Sequence, residues 1–217
     1  MSHITVEYDV YSSAWHTRNA LKSLKDIPLM SFDIETKGVY SKAERKVASK
    51  LLETEISPSE RKLASLVANN SGLSFPSLVT VTHFVFGISE TKSIILIPDS
   101  INEEMYIWNW LVNFRGMLVI HNTLFDLKVM YHRTKSYPQS YEDTALMAKA
   151  LTNNSATWKS KIGLKELMGS HFDPKWTFID EYEPEDLRKV TFLRYAAIDG
   201  AATYKLYQML MEEFANA

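Results

Sequence analysis

The most constraining stretch of the chain is a short apolar run that ends on acids, Leu29-Met30-Ser31-Phe32-Asp33-Ile34, continued by Glu35-Thr36. Pro28 leads into it, and its composition reads as a buried strand. On a strand, residues i and i+2 project to one face. Asp33 and Glu35 therefore point the same way, just where the apolar strand runs out. Two close carboxylates are costly unless a cation neutralises them. Mg²⁺ and Mn²⁺ favour oxygen donors of this kind. The plainer alternative is a strand-end turn with solvated acids.

Whatever buries this strand must be built from the rest of a 217-residue chain, a length that suits one domain. Hydrophobic residues make up 46% and charged residues 23%, a globular composition. There is no cysteine. That excludes disulfides, thiolate metal sites, iron–sulfur clusters and a cysteine nucleophile. The net charge of -2 predicts no general affinity for polyanions. Acids gathered in one site, with basic residues elsewhere, would escape that argument. No run approaches the roughly 20 apolar residues of a membrane span. Residues 1–10 do not resemble a signal peptide. The expected location is the cytoplasm, or wherever the producing genome replicates, with no membrane partner.

The periodicities predict a helix capped by Ser12 or Ser13, with Trp15, Leu21 and Leu24 on its apolar side. Val79–Ile88 and Ser93–Ile97 read as an antiparallel hairpin turning at Ser89-Glu90-Thr91-Lys92. A helix over Asn102–Phe114 ends before Gly116, and Leu118–Ile120 is a fourth short strand. Helices follow from about Thr123, from Asp143 to Leu151, over Gly163–Met168 and over Val190–Phe214. Four strands among these helices imply an α/β or α+β domain with a mixed sheet. The tryptophans are assigned to the core. Residues 41–70 stand apart as an inserted helical hairpin. Ser41…Glu44 and Ser57-Pro58-Ser59-Glu60 are capping boxes. Each helix carries a narrow apolar stripe: Val47, Leu51 and Leu52, then Leu63, Leu66 and Val67.

Two further acidic patterns follow the first. In Ile120-His121-Asn122-Thr123-Leu124-Phe125-Asp126, Asn122 or Thr123 can cap a helix whose first turn holds Asp126. In Tyr195-Ala196-Ala197-Ile198-Asp199, the i,i+4 spacing puts a phenol and a carboxylate on one helix face, with alanines for close packing. Each alone also fits an ordinary helix start or an ordinary Tyr–Asp neighbour pair.

Taken in order, Asp-x-Glu, Asn-x-x-x-Asp and Tyr-x-x-x-Asp resemble the DEDDy branch of the 3′–5′ exonucleases, in the ribonuclease-H-like superfamily. Asp143-Thr144, Gly163–Leu167 and Trp176–Phe178 match secondary motifs of that branch. Arg194–Asp199 is similar to the proofreading exonuclease domain of family-A DNA polymerases. The likeness covers roughly residues 28–40 and 78–212. It implies a ribonuclease-H-like mixed β-sheet flanked by helices, a single domain over 1–217, with the hairpin as an insertion. It implies two divalent ions, Mg²⁺ or Mn²⁺, held by Asp33, Glu35, Asp126 and Asp199, with Asp33 shared between them. Tyr195 and Glu35 would orient the attacking water. Substrate contacts would come from Thr36, Val39, His121, Asn122, Phe125 and Phe178, although packing alone also accounts for Val39, Phe125 and Phe178.

The implied activity is removal of nucleoside 5′-monophosphates from the 3′ ends of single-stranded or frayed DNA. A ribonuclease D-like enzyme acting on RNA shares the motifs, and a non-catalytic proofreading or assembly module serving a separate DNA polymerase is the alternative of another class. The chain ends soon after the third motif, so a stand-alone phage protein and a piece of a longer chain both fit. Lys128, Arg133, Lys135, Lys159, Lys161 and Lys165 are candidate phosphate contacts, as are Arg45, Lys46, Lys50, Arg61 and Lys62 on the hairpin. The hairpin is expected to border the strand path or to dock a partner.

Overall fold

In a computed structural model of the chain, residues 5–38, 42–68, 79–151, 162–173 and 190–216 are described. The strands are β1 (Glu7–Tyr11), β2 (Leu29–Gly38), β3 (Val79–Ser89), β4 (Lys92–Leu96), β5 (Met117–Ile120) and β6 (Tyr141–Asp143). The helices are α1 (Ala14–Leu24), α2 (Lys42–Leu51), α3 (Pro58–Ala68), α4 (Ile101–Val112), α5 (Leu124–Thr134), α6 (Thr144–Leu151), α7 (Leu164–His171) and α8 (Val190–Asn216). The strands form one mixed sheet in the order β1-β4-β3-β2-β5-β6. β3 runs antiparallel to both β2 and β4, and the other pairings are parallel.

The expected mixed α/β sheet is present, with two strands more than the periodicity indicated. Both extra strands are edges. β1 has no buried residue, and β6 has three residues, of which only Asp143 is buried. Neither offers the alternating apolar pattern by which a half-buried strand is read.

Period-two alternation divides the core into two layers. Met30, Phe32 and Ile34 of β2 join Phe84 and Phe86 of β3 on one face, under Leu21, Leu24, Trp108 and Leu111. Trp108 is fully buried and meets Phe84 edge-on at 4.8 Å. Val85 and Ile95 face the other way, against Ala196, Ala197, Ala201 and Leu206 of α8. Because Met30, Phe32 and Ile34 take the first face, Ser31, Asp33 and Glu35 are turned to the second, toward α8.

The assignment of tryptophans to the core holds for Trp108 and fails for Trp15, which is 69% exposed. Thr17, Ala20, Leu21 and Leu24 form the buried side of α1, and Trp15 lies off that stripe. Trp110 is half-buried at the cluster's edge, while Trp158 and Trp176 fall outside the described residues. Arg133 is likewise committed to structure. Its Nε donates to Glu104 at 2.8 Å and its guanidinium to the Val79 carbonyl at 2.8 Å, tying α5 to α4 and β3. Glu104 also accepts from the Trp108 indole at 3.0 Å. Arg133 is therefore withdrawn from the candidate phosphate contacts. Among the described residues, no helix is long and apolar enough to cross a membrane.

Candidate active site

The first acidic pattern lies on β2 beyond the end of its pairing with β5, which stops at Ser31 opposite Val119. Ile34 thus has a backbone N–H with no β5 partner. Asp126 Oδ1 accepts it at 3.2 Å, which brings the first turn of α5 against the end of β2. On the other side, the β2–β3 register slips between Glu35 and Thr36. Thr82 is the extra residue, and its hydroxyl donates to the Glu35 carbonyl at 2.9 Å. Bulges of this kind re-aim a side chain at the edge of a site.

The third pattern arrives on α8, seated unusually close to the sheet. Ser31 Oγ donates to the Gly200 carbonyl at 2.6 Å and accepts from the Gly87 N–H at 3.0 Å. Ser93 Oγ donates to the Ala197 carbonyl at 2.7 Å. Two strand serines therefore grip the helix backbone on either side of Asp199. Glycine at 87 is what allows this approach. A Cβ there would stand 2.3 Å from the Gly200 oxygen.

The electrostatics show which acids meet. Burial pushes the Asp33 carboxyl up to about 7, with Asp199 the next cause. Glu35 is held well above the usual carboxylate range by burial and by Asp33, Asp199 and Asp126. Asp126 is raised by burial and by Asp33, while its bond from Ile34 N–H pulls the other way. The Tyr195 phenol is raised as well, by burial first and then by Asp199 and Glu35, and it hydrogen-bonds Asp199. It stays a neutral donor at any ordinary pH. The five residues singled out as Asp33, Glu35, Asp126, Tyr195 and Asp199 thus share one electrostatic neighbourhood. Among the described residues, no three His, Asp or Glu side chains are drawn together tightly enough to share one ion. The acids are neighbours, not a closed cage.

An all-carboxylate, partly buried donor set whose members raise one another's pKa suits a hard divalent cation. Bound positive charge would remove the repulsion that now favours protons. One cation of the protein is already close. Lys165, on the first turn of α7, places its ammonium 4.6 Å from the centre of the Tyr195 ring and draws the Glu35 carboxyl downward, against the stronger opposing causes.

The second pattern is shaped by Asp143 at the end of β6. Its carboxylate accepts from the backbone N–H of Asn122 (3.0 Å), Thr123 (2.9 Å) and Ala145 (2.9 Å), and from the Thr123 hydroxyl (2.9 Å). Thr123 is the residue before α5, yet its hydroxyl turns to Asp143 and does not cap the helix. Asn122 is exposed and sits in the left-handed region with φ 60°. Its side chain does not cap α5 either. His121 shares a 2.9 Å hydrogen bond with Thr144, and burial lowers its imidazole pKa, so it is neutral near pH 7. Phe125 is half-buried against the aromatic core, and Thr36 is partly exposed just after the bulge. Val39 and Phe178 lie outside the described residues. Sequence reasoning passed over Ser31, Ser93, Gly87 and Gly200. Asp143 is legible as the start of α6 and as part of a secondary motif, but its bonds to Asn122 and Thr123 have no sequence signal.

Comparison with known proteins shows the family and the fold. A family model described as 3′–5′ exonuclease matches residues 80–215, which include Asp126, Tyr195 and Asp199 but not Asp33 or Glu35. A search of curated proteins by sequence finds no match. Among solved structures, Brucella melitensis NrnC with bound Mg²⁺ aligns with a TM-score of 0.57 at 16% identity, over 98% of this chain and 83% of that one. The catalytic core of RRP6 from Trypanosoma brucei aligns with a TM-score of 0.60 at 12% identity, over 100% of this chain and 49% of that one. Escherichia coli RNase D, described as an exoribonuclease involved in structured RNA processing, gives 0.57 at 14%, over 97% and 46%. At these identities the structures establish the fold, ribonuclease-H-like. The family match spans more than half of the chain, and the protein therefore belongs to the 3′–5′ exonuclease family.

Proposed function

We propose that the chain is a metal-dependent 3′–5′ exonuclease that hydrolyses single-stranded DNA from its 3′ end and releases nucleoside 5′-monophosphates. The observation that carries this reading is the mutual repulsion of Asp33, Glu35, Asp126 and Asp199 beside a protonated Tyr195. These four carboxylates would hold two divalent ions, which when bound neutralise the phosphodiester and activate water. The other roles belong to the protein. Tyr195, locked as a proton donor, and Glu35, beside it, would orient the attacking water. Asp126 reaches the ensemble because Ile34 N–H fixes its Oδ1. Asn122 and Thr36, exposed and partly exposed at the rim, are suited to touch the terminal nucleotide.

A second reading, RNA as substrate, has its own support. One neighbour is NrnC bound to pGG, and another is an exoribonuclease. The two differ at contacts to the 2′-OH. The test is one assay with DNA and RNA 3′ ends of matched sequence, with Mg²⁺, with Mn²⁺ and with chelator. Shortening of either strand only with metal, lost in Asp33→Ala and Asp199→Ala proteins that keep their fold, is the expected result. Intact 3′ ends under every metal condition would overturn the proposal, and the ratio of the two rates decides between DNA and RNA.

A further inference from the structure

Among the described residues, the helical hairpin α2–α3 supplies none of the site's acids, yet it is closed by bonds of its own. Glu60 accepts from Ser57 N–H at 2.9 Å, and Glu60 N–H bonds back to Ser57 Oγ at 3.3 Å, a closed capping box. Arg61 donates to the carbonyls of Leu52 and Thr54, at 3.3 and 3.4 Å, and so closes the end of α2. The two helices pack chiefly against each other. Where they touch, the side chains are small: Ala48 and Ala64 are 4% and 6% exposed. The larger apolar residues are pushed outward, leaving Val47 59%, Leu51 46% and Leu63 60% exposed. With Val67 they form the walls of an open apolar groove of about 460 Å³, floored by the two alanines. A pre-formed apolar groove on an otherwise charged surface marks an interaction site.

Its dimensions and charge say what fits. Helices of 10 and 11 residues give a groove about 16 Å long, the length of three helical turns. The charged residues lining it are both acids, Glu44 toward one end and Glu60 toward the other. The Ser57 bonds hold the Glu60 carboxyl below the ordinary carboxylate range, so it is an anion. Arg45, Lys46 and Lys50 of α2, and Arg61 and Lys62 of α3, fall at helical angles outside the groove. This pattern argues against a second copy of the chain. Face-to-face two-fold pairing must set Glu44 against Glu44 and Glu60 against Glu60, or Glu44 against Glu60. Either brings acids of like charge together across the interface. It also argues against a nucleic-acid backbone, which an acidic apolar groove repels.

We infer that the α2–α3 groove binds an amphipathic helix of a partner protein, apolar on one face and carrying Lys or Arg beside it, in the manner of helix-in-groove recognition. The inference rests on the hairpin alone and stands or falls apart from the exonuclease reading.

The test uses the full-length protein and two fluorescein-labelled peptides of about 14 residues, with leucines at i, i+3, i+4 and i+7. One has Lys at the remaining positions and the other Glu. Anisotropy titrations should show saturable binding of the Leu/Lys helix, and at least about tenfold weaker binding of the Leu/Glu helix. Leu63→Glu should abolish binding while leaving the far-ultraviolet circular dichroism unchanged, because Leu63 is mostly exposed. Glu44→Lys should narrow or reverse the preference between the peptides. Equal binding of both peptides, or binding that survives Leu63→Glu, overturns the inference. So does a concentration-dependent dimer in sedimentation velocity that Leu63→Glu dissolves, and so does loss of oligonucleotide binding in that variant.

Discussion

Substituting Gly87 by alanine puts one methyl group where α8 presses on the sheet. The new Cβ would lie 2.3 Å from the Gly200 oxygen, 2.6 Å from its carbonyl carbon and 2.4 Å from Ser31 Oγ. Ordinary carbon–oxygen contacts begin near ~3.3 Å, so α8 must withdraw by about 1 Å. That stretches the 2.6 Å bond from Ser31 to Gly200 beyond hydrogen-bond reach. Overpacking and the lost bond together should cost about 2–4 kcal/mol, lowering Tm by roughly 5–15 °C for a chain of this size. Asp199 precedes Gly200 and moves with it. A 1 Å displacement of a group that positions reactants costs on the order of 100-fold in rate. The measurement is kcat for shortening of a 5′-labelled oligonucleotide with Mn²⁺, well below the variant's melting temperature.

Gly116→Ala supplies the control. Its Cβ would meet the Ile27 oxygen at 2.5 Å and the Phe114 ring at 2.6 Å, at the start of β5 and away from α8. It should lose comparable stability and retain kcat within about threefold while folded, since it leaves the reacting geometry alone. If Gly87→Ala keeps full activity, or if both variants lose activity in proportion to stability, the close seating of α8 does not set the site's geometry.

Asp143→Ala should destabilise the protein by roughly 3 kcal/mol, because it strands the N–H groups of Thr123 and Ala145 and the Thr123 hydroxyl in a buried corner, and activity should fall further as Asp126 loses its anchored turn; urea unfolding and kcat measured together check this. Without divalent ions, stability should decline as pH rises. Asp33 titrates near 7 when folded, against about 3.8 when unfolded, so the folded chain binds the extra proton between those values. Its contribution is undiminished below about 4, is lost progressively toward 7 and is flat above, with a ceiling of ~4 kcal/mol. Urea unfolding in chelator at pH 5 and pH 8 measures the slope; Asp33→Asn should reduce it without abolishing it, because burial also raises Glu35 and Asp126, and Mg²⁺ should restore stability at pH 8. Trp108→Ala should cost about 3–5 kcal/mol and Trp15→Ala less than ~0.5 kcal/mol, as thermal melts will show.

What could be read in the sequence was chemistry with a short period. Asp33 and Glu35 are two apart on a strand, and Tyr195 and Asp199 are four apart on a helix, so each pair declares a shared face before any tertiary structure is known. Asp126 was legible through its place in the first turn of α5. What joins these pairs has no such period. The bond from Ile34 N–H to Asp126 exists because β5 stops pairing at Ser31, and a stopping point is set by packing. Trp15 reads as core in composition and lies on the open side of α1, because burial there belongs to Thr17, Ala20, Leu21 and Leu24.

The seating of α8 carries that argument furthest. Ser31 and Ser93 lie in apolar strands, where a serine reads as a neutral interruption, and Gly87 reads as a weak point in β3. Together they build a socket in which two hydroxyls satisfy helix carbonyls at 2.6 and 2.7 Å and a missing Cβ admits the helix backbone. A helix bonded to the sheet through its backbone is fixed in register as well as in distance. A slip of one residue would rotate α8 by about 100° and carry Tyr195 and Asp199 off the face of Asp33 and Glu35 together. The acids and the phenol of the candidate site therefore depend for their placement on residues with no reactive group, and a search for function by reactive side chains alone passes over the groups that bring those side chains into one place.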